Sequence, residues 1–465
     1  MRKERALRVG LLGKRASVVG LGREGIDLAR FLVKEGADVL VTDAKPAEGL
    51  TSSLAALAGL PIRYALGAHP IDELLDAEVV YVSPGVAPDI PPLAEARRRG
   101  VPLSTSTRLF FERCAAPIVG ITGSSGKTTT TALVGKIFEA AGRPTFVGGN
   151  IGVPLLSRLD EIGPRDWVIL ELSSFQLESL EASPAIAAIT NITPNHLDRH
   201  ASMDEYATAK ENIIRYQTQS DWAILNADDA VSAGLRAPGR TLYFSLEREV
   251  EGAFLDGDRL AVARGSSRRL VCEGGELRLR GRHNVANALA ACAVASAVGI
   301  SINTMREAIR TFSGVRHRLE LVDEISGIRY VNDSIATSPE RSMAALEAFA
   351  GDTIILLAGG RDKHLPMQEW GKRIAASVRD LVLFGEAAPL VERAALEGGL
   401  PSERIHHRET VLQAVRLAHE LARPGAVVLL SPGGTSYDQY RDFEERGVAF
   451  AAAARSLHLK AANER

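Results

Sequence analysis

Cysteine is scarce in this chain of 465 residues: Cys114, Cys272 and Cys292 are odd in number and far apart. They exclude a disulfide framework and a zinc knuckle and point to a reducing compartment. Charge of one sign is missing too. With 55 Lys and Arg against 57 Asp and Glu, the formal net charge of −2 leaves no electrostatic footprint for nucleic acid or an anionic membrane. Long apolar runs are absent. The most apolar stretch, Ala286 to Ile300, is interrupted by Asn287 and Ser296 and falls short of the roughly 20 residues that span a bilayer, so it reads as a packed helix. Met1 to Gly13 is charged and lacks the apolar core of a signal peptide. A cytoplasmic, monomeric protein whose partners are small molecules is expected, with no nucleic acid and no membrane among them. No solenoid period or long low-complexity segment is present, and the length exceeds what one hydrophobic core supports, so about three domains are predicted.

What the sequence does have is a phosphate cradle. The apolar run Ile118 to Ile121 feeds Thr122-Gly123-Ser124-Ser125-Gly126-Lys127-Thr128-Thr129 and then a helix-compatible segment. Gly123 and Gly126 allow successive N–H groups to turn inward, Lys127 can reach terminal phosphates, and the Thr128 hydroxyl is placed to ligate Mg²⁺ at a helix start. Gly123 stands only three positions before Gly126, tighter than the G-x-x-x-x-G-K-[ST] spacing, which points to a subgroup. A nucleoside triphosphate is the expected ligand.

A second glycine motif, Gly20-Leu21-Gly22-Arg23-Glu24-Gly25, follows a β-prone run, and Asp43 follows the next expected strand, Asp38 to Thr42, eighteen residues after Gly25. This is the dinucleotide-binding fingerprint. Its glycines let a pyrophosphate approach a helix N-terminus, which serves a UDP-sugar as well as NAD, and both readings stay open on the motif alone. Val79 to Val82 reads as a buried strand ending in the loop Ser83-Pro84-Gly85-Val86, and ligands of open α/β sheets bind at such strand ends. Further strand-like runs are Trp167 to Leu170, Ala187 to Thr190, Trp222 to Asn226, Thr353 to Leu357 and Ala426 to Leu430, with short antiparallel strands expected over Glu251 to Gly281. The fold class is therefore α/β in three domains: a Rossmann-like domain over 1–115, a central P-loop-type mononucleotide-binding domain over 116–313 and a Rossmann-like C-terminal domain over 314–465.

Two further segments end strands of the central region, one starting at Glu171 and the other carrying His196. Each delivers its polar group to the sheet edge that holds the triphosphate, so Glu171 and His196 are candidate Mg²⁺ ligands beside a γ-phosphate. Lys210 lies in the helix-compatible run Met203 to Tyr216.

Taken in order along essentially the whole chain, the segments at 122–128, 171–178, 195–199, 281–287, 317–320, 332–334 and 430–432, with Phe443 and Glu444, resemble the Mur ligases of peptidoglycan synthesis. The likeness is greatest to members that add D-glutamate to UDP-N-acetylmuramoyl-L-alanine. The resemblance implies an ADP-forming amide ligase. The substrate carboxylate attacks the γ-phosphate of ATP to give an acyl phosphate, and the glutamate amine then displaces phosphate. It implies two Mg²⁺ ions, held by Thr128, Glu171, His196 and Lys210, the last as a carbamate. It also implies ATP contacts from Gly123 through Thr129 and from Asn284, Asn287, Arg318 and Asp333. The UDP substrate would lie on Leu21, Gly22, Arg23, Asp43, Ser83, Pro84 and Gly85, with Asn150 and Gln176 along the muramoyl path, and glutamate on Thr337, Lys363, Ser436 and Phe443. Many members have lysine where this chain has Ile335, which leaves the glutamate isomer open and makes Arg361 a candidate replacement. Another ligase of the superfamily and an NAD-binding redox enzyme or sensor are the alternative readings; folylpolyglutamate synthetases lack the N-terminal domain.

Overall fold

The computed structural model describes residues 10–150, 154–194, 200, 202–279, 281–363 and 365–458, and residues 459–463 as backbone. The chain divides into two compact units, Met1–Phe312 and Ser313–Arg465. The first holds two sheets. Strands β1 (Arg15–Val19), β2 (Asp38–Asp43), β3 (Ile62–Leu66), β4 (Val79–Val82) and β5 (Leu103–Ser104) pair in parallel in the order β3-β2-β1-β4-β5. The valine-rich β1 and β2 are buried over almost their whole length, as strands covered on both faces must be.

The second sheet has nine strands: β6 (Ile118–Thr122), β7 (Thr145–Gly149), β8 (Trp167–Glu171), β9 (Ile186–Ile189), β10 (Trp222–Asn226), β11 (Arg240–Ser245), β12 (Gly252–Asp256), β13 (Arg259–Arg264) and β14 (Ser267–Glu273). Their order is β14-β13-β12-β11-β10-β9-β6-β8-β7. Pairing is parallel from β7 to β12, and β13 and β14 extend the sheet in antiparallel fashion, matching the strands expected between Glu251 and Gly281. Every residue of β6 is buried. β6 lies between β8 and β9, and the chain passes from β8 across β6 to β9, so the carboxyl ends of all three strands open on one crevice at a topological switch point.

Two helices fix that crevice. Lys127–Ala140 follows β6 and buries Leu133, Val134, Ile137 and Phe138. Arg282–Ala297 packs on it and is buried without a break from Asn287 to Ser296, its alanines permitting close approach. A third helix, Met203–Arg215, begins at Ser202, whose hydroxyl accepts from Glu205 N at 3.1 Å. Tyr206, Lys210, Ile213 and Ile214 recur at helical spacing, so Lys210 is carried inward with the apolar face.

The second unit holds β15 (Glu320–Ile325), β16 (Ile328–Asn332), β17 (Thr353–Gly359), β18 (Val378–Phe384), β19 (Ile405–His407) and β20 (Ala426–Gly433), in the order β15-β16-β20-β17-β18-β19. Only the β15–β16 pair is antiparallel. Among the described residues, no helix is long and apolar enough to cross a membrane.

Phe138 anchors the helix behind the phosphate loop: it is fully buried and meets Trp167 edge-on at 5.1 Å. Phe138→Ala is expected to cost about 3–5 kcal/mol. Thermal melting followed by circular dichroism checks this; an unchanged melting temperature would contradict it.

Candidate active site

The glycine-rich loop is shaped by Gly126, which caps the helix Lys127–Ala140 in a left-handed conformation, φ 80°. A Cβ there would collide with Oδ1 of Asn287, so the position demands glycine on two counts. The loop is strapped to the segment after β9. The Ser124 hydroxyl donates to the Thr193 carbonyl (2.8 Å) and accepts from Thr193 N (2.9 Å), while Ser125 N donates to Asn191 Oδ1 at 3.0 Å. Asn287 Oδ1 accepts from Thr130 at 3.4 Å, and its amide donates to Asn284 at 3.2 Å. Both asparagines therefore border the loop, and Thr129 lies in the first turn of the loop's helix.

Two lysines converge on one backbone oxygen. Lys127 Nζ and Lys210 Nζ each donate to the Gly123 carbonyl at 2.9 Å. Lys210 is 1 % exposed and lies 4.6 Å from the centre of the Tyr206 ring. Burial, and then the charge of Lys127, lower its pKa to about 7 against the opposing pull of Glu171. Near neutral pH, a sizeable fraction of this amine carries no charge.

Beside the lysines, the Thr128 hydroxyl donates to Glu171 Oε2 at 2.8 Å and the Asn150 amide donates to Glu171 Oε1 at 2.9 Å. Glu171 is 2 % exposed. A hydroxyl and a buried carboxylate at a helix start are hard oxygen donors of the kind Mg²⁺ prefers. Among the described residues, no group of three or more His, Cys, Asp or Glu could hold a metal on its own. Mg²⁺ commonly binds through one or two carboxylates plus substrate phosphates and water. His196 lies outside the described residues.

At the first sheet, the carboxyl ends of β1, β2 and β4 gather the other predicted loop. Asp43 Oδ2 accepts from Leu21 N at 2.7 Å and Oδ1 from Lys45 N at 2.9 Å, so the carboxylate holds the glycine turn in place. The Ser83 hydroxyl donates to Gly20 O at 2.8 Å, and the turn through Pro84 and Gly85 closes with Val86 N on Ser83 O at 3.0 Å. Gly22 and Arg23 are exposed beside it. Glu24 is a residue that sequence reading missed. Gln176 donates to one of its oxygens at 2.7 Å and the Ser106 hydroxyl donates to the other, and burial raises its pKa. It ties the glycine-loop helix to the helix after β8. Its one sequence signal was an acidic residue inside the glycine motif.

In the second unit, Lys363 Nζ donates to Thr337 Oγ1 at 3.1 Å. The Phe443 carbonyl accepts from Ser334 at 2.7 Å, and Ser436 is buried on the loop after β20. Beneath them lies Arg446, fully buried and also missed from sequence. Its guanidinium donates to Ser334 Oγ and O at 3.0 and 2.9 Å and to Gly434 O and Thr435 O at 3.1 Å each. Asp333 accepts from Ser431 at 2.9 Å and from Leu319 N at 3.2 Å. Arg318 is exposed. Arg361, the candidate replacement for a lysine at 335, is engaged with Glu386 at 2.8 and 3.0 Å.

The chain is similar to known proteins along almost its whole length. Family models match in three blocks: the Mur ligase MurD-like N-terminal domain over residues 14–105, the Mur ligase middle domain over 121–295 and the Mur ligase glutamate ligase domain over 317–434. The UDP-N-acetylmuramoylalanine--D-glutamate ligase of Pelotomaculum thermopropionicum is 41 % identical over 448 residues, covering 96 % of this chain and 98 % of its own. That of Symbiobacterium thermophilum is also 41 % identical, covering 96 % and 99 %. Among solved structures, the UDP-N-acetylmuramate-alanine ligase of Thermotoga maritima superposes with a TM-score of 0.60 at 20 % identity, covering 95 % of this chain and 99 % of that one. A pseudomurein peptide ligase of Methanothermus fervidus gives 0.54 at 19 %, covering 96 % and 100 %. These structural likenesses concern the fold.

Burial pushes Asp333 up to about 7, against the Ser431 hydroxyl, the Leu319 N–H and the charges of Arg318 and Arg341. A carboxyl whose folded pKa is raised contributes stability that is complete below about pH 4 and is lost as pH rises to its folded value. The stability of Asp333→Asn relative to the parent should therefore grow between about pH 4 and 7 and then level off. Denaturant midpoints across that range test this, and a pH-independent difference would refute it.

Proposed function

The chain belongs to the Mur ligase family, and on that premise we propose that it is an ATP-dependent, ADP-forming ligase that joins D-glutamate to UDP-N-acetylmuramoyl-L-alanine in peptidoglycan precursor synthesis. The observation that carries this reading is the meeting of Lys127, Lys210, Thr128 and Glu171 at the mouth of one glycine loop. A carboxylate is a poor electrophile, and it is repelled by the triphosphate it must attack. The Lys127 ammonium fixed at the loop lowers that repulsion before any bond changes.

In the first step a carboxylate oxygen bonds to the γ-phosphorus and the bond to ADP breaks. In the second the glutamate amine adds to the acyl carbon, gives up a proton and expels phosphate. Thr128 and Glu171 would hold one Mg²⁺ ion, and His196 and a carbamylated Lys210 a second, and bound there the ions would supply charge neutralisation around the phosphoryl oxygens. Lys127 swings from the Gly123 carbonyl to the γ-phosphate, and the N–H groups of Gly126 to Thr129 at the helix start cradle the phosphate chain. Lys210 is suited to carbamylation because its neutral amine can bond to the carbon of carbon dioxide and release a proton to water.

The UDP end is assigned to Leu21, Gly22, Arg23, Asp43 and the Ser83 to Gly85 turn, and the muramoyl path to Asn150 and Gln176. Asn284, Asn287, Arg318 and Asp333 are assigned to the nucleotide, and Thr337, Lys363, Ser436 and Phe443 to glutamate. The same reading makes the protein a cytoplasmic monomer with domains over 1–115, 116–313 and 314–465.

Phosphate release, assayed with ATP, Mg²⁺, UDP-N-acetylmuramoyl-L-alanine and each glutamate isomer in turn, is the test. Release is expected with the D isomer and only when every component is present. Lys127→Ala should lower kcat on the order of 100-fold or more while leaving the protein folded. Substantial activity in that variant, or a preference for the L isomer, would overturn the assignment.

A further inference from the structure

The loops after β16, β20 and β17 leave three adjacent strands at the carboxyl edge of the second unit's sheet. They bring Thr337, Ser436 and Lys363 to that edge. The helix Pro339–Ala348 begins directly after the first of these loops, and Arg341 stands in its opening turn. Its side chain folds back, and Nη1 donates to the Ile335 carbonyl at 3.3 Å. The guanidinium thus lies beside Ile335, two positions before the Thr337 that Lys363 contacts. An ammonium or guanidinium is electrostatically disfavoured in the first turn of a helix, where the backbone already presents positive charge. Among the described residues, Arg341 has no carboxylate within ion-pair distance to offset this.

More positive charge lies close by. Burial and the charges of Arg341 and Arg446 all pull the Lys363 ammonium below its ordinary pKa. Arg446 spends its hydrogen bonds on neutral oxygens of Ser334, Gly434 and Thr435. Arg361 is already matched by Glu386 and is the wrong residue to look to.

We propose that Arg341 is the second cation of the amino-acid site, sharing with Lys363 one carboxylate of the incoming glutamate above Thr337. This rests on the reading of the second unit as the glutamate-binding one. A guanidinium suits the task because its planar fork donates to a carboxylate through two parallel hydrogen bonds. Its length lets it reach the site from the helix rather than from the loop, which frees position 335 to be apolar.

Steady-state kinetics of the full-length enzyme with all three substrates varied test the proposal. Arg341→Ala should raise KM for D-glutamate roughly ten- to hundred-fold, the loss expected for a charge-assisted hydrogen-bonded contact. KM for ATP and for the UDP substrate should stay within about threefold of the parent. Arg341→Lys should recover part of the loss, and Arg361→Ala should leave all three KM values unchanged. A parent enzyme that is active while Arg341→Ala keeps its KM for glutamate within twofold would overturn this proposal alone. A parent enzyme with no glutamate-dependent phosphate release would overturn the glutamate assignment and this proposal with it.

Discussion

One backbone carbonyl organises the central crevice. Gly123 O accepts from Lys127 and Lys210 at the same distance, 2.9 Å, so two ammonium groups are held close in a largely dry place. Like charges in low dielectric cost free energy unless one loses its proton or an anion arrives. Lys210 answers in the first way, its pKa drawn down to about 7 by burial and by Lys127. The polyphosphate of ATP answers in the second. The same arrangement favours a highly charged anionic ligand in the crevice.

The rest of the first unit keeps that crevice in register with the other sheet. Asp43 spends its carboxylate on the backbone of Leu21 and Lys45, giving the glycine turn a fixed shape. Asp27 accepts from the backbone N–H groups of Leu156 and Ser157 and from the Ser157 hydroxyl. Glu24 reaches Gln176. Two carboxylates on one helix, Asp27 buried and Glu24 partly so, therefore join the first sheet's domain to the second sheet's domain through directional hydrogen bonds, which fix relative position more tightly than apolar contact would.

Much of this was legible in the chain because it is local. The phosphate loop, the second glycine turn and the apolar strands that precede them depend on residues a few positions apart, and Thr128 and Glu171 could be placed at one edge because each ends a strand or starts a helix. Lys210 was legible as helical but not as buried, since a lysine is ordinarily exposed; the clue lay in its spacing from Tyr206 and Ile213. Arg446 gave no signal, because its partners are backbone oxygens at Ser334, Gly434 and Thr435, which only the folded chain brings together. Arg361 stood as the candidate replacement for a lysine at 335, yet Glu386 claims it, and Arg341, inconspicuous in the sequence, is the arginine that bends toward position 335.

The central claim is that the crevice makes an inert carboxylate reactive by letting it take the γ-phosphoryl group. Labelling the carboxylate of UDP-N-acetylmuramoyl-L-alanine with heavy oxygen and analysing the released phosphate by mass spectrometry tests that claim directly. Transfer of one labelled oxygen to phosphate in each turnover is the predicted result; phosphate that carries none of the label while amide product accumulates would contradict it.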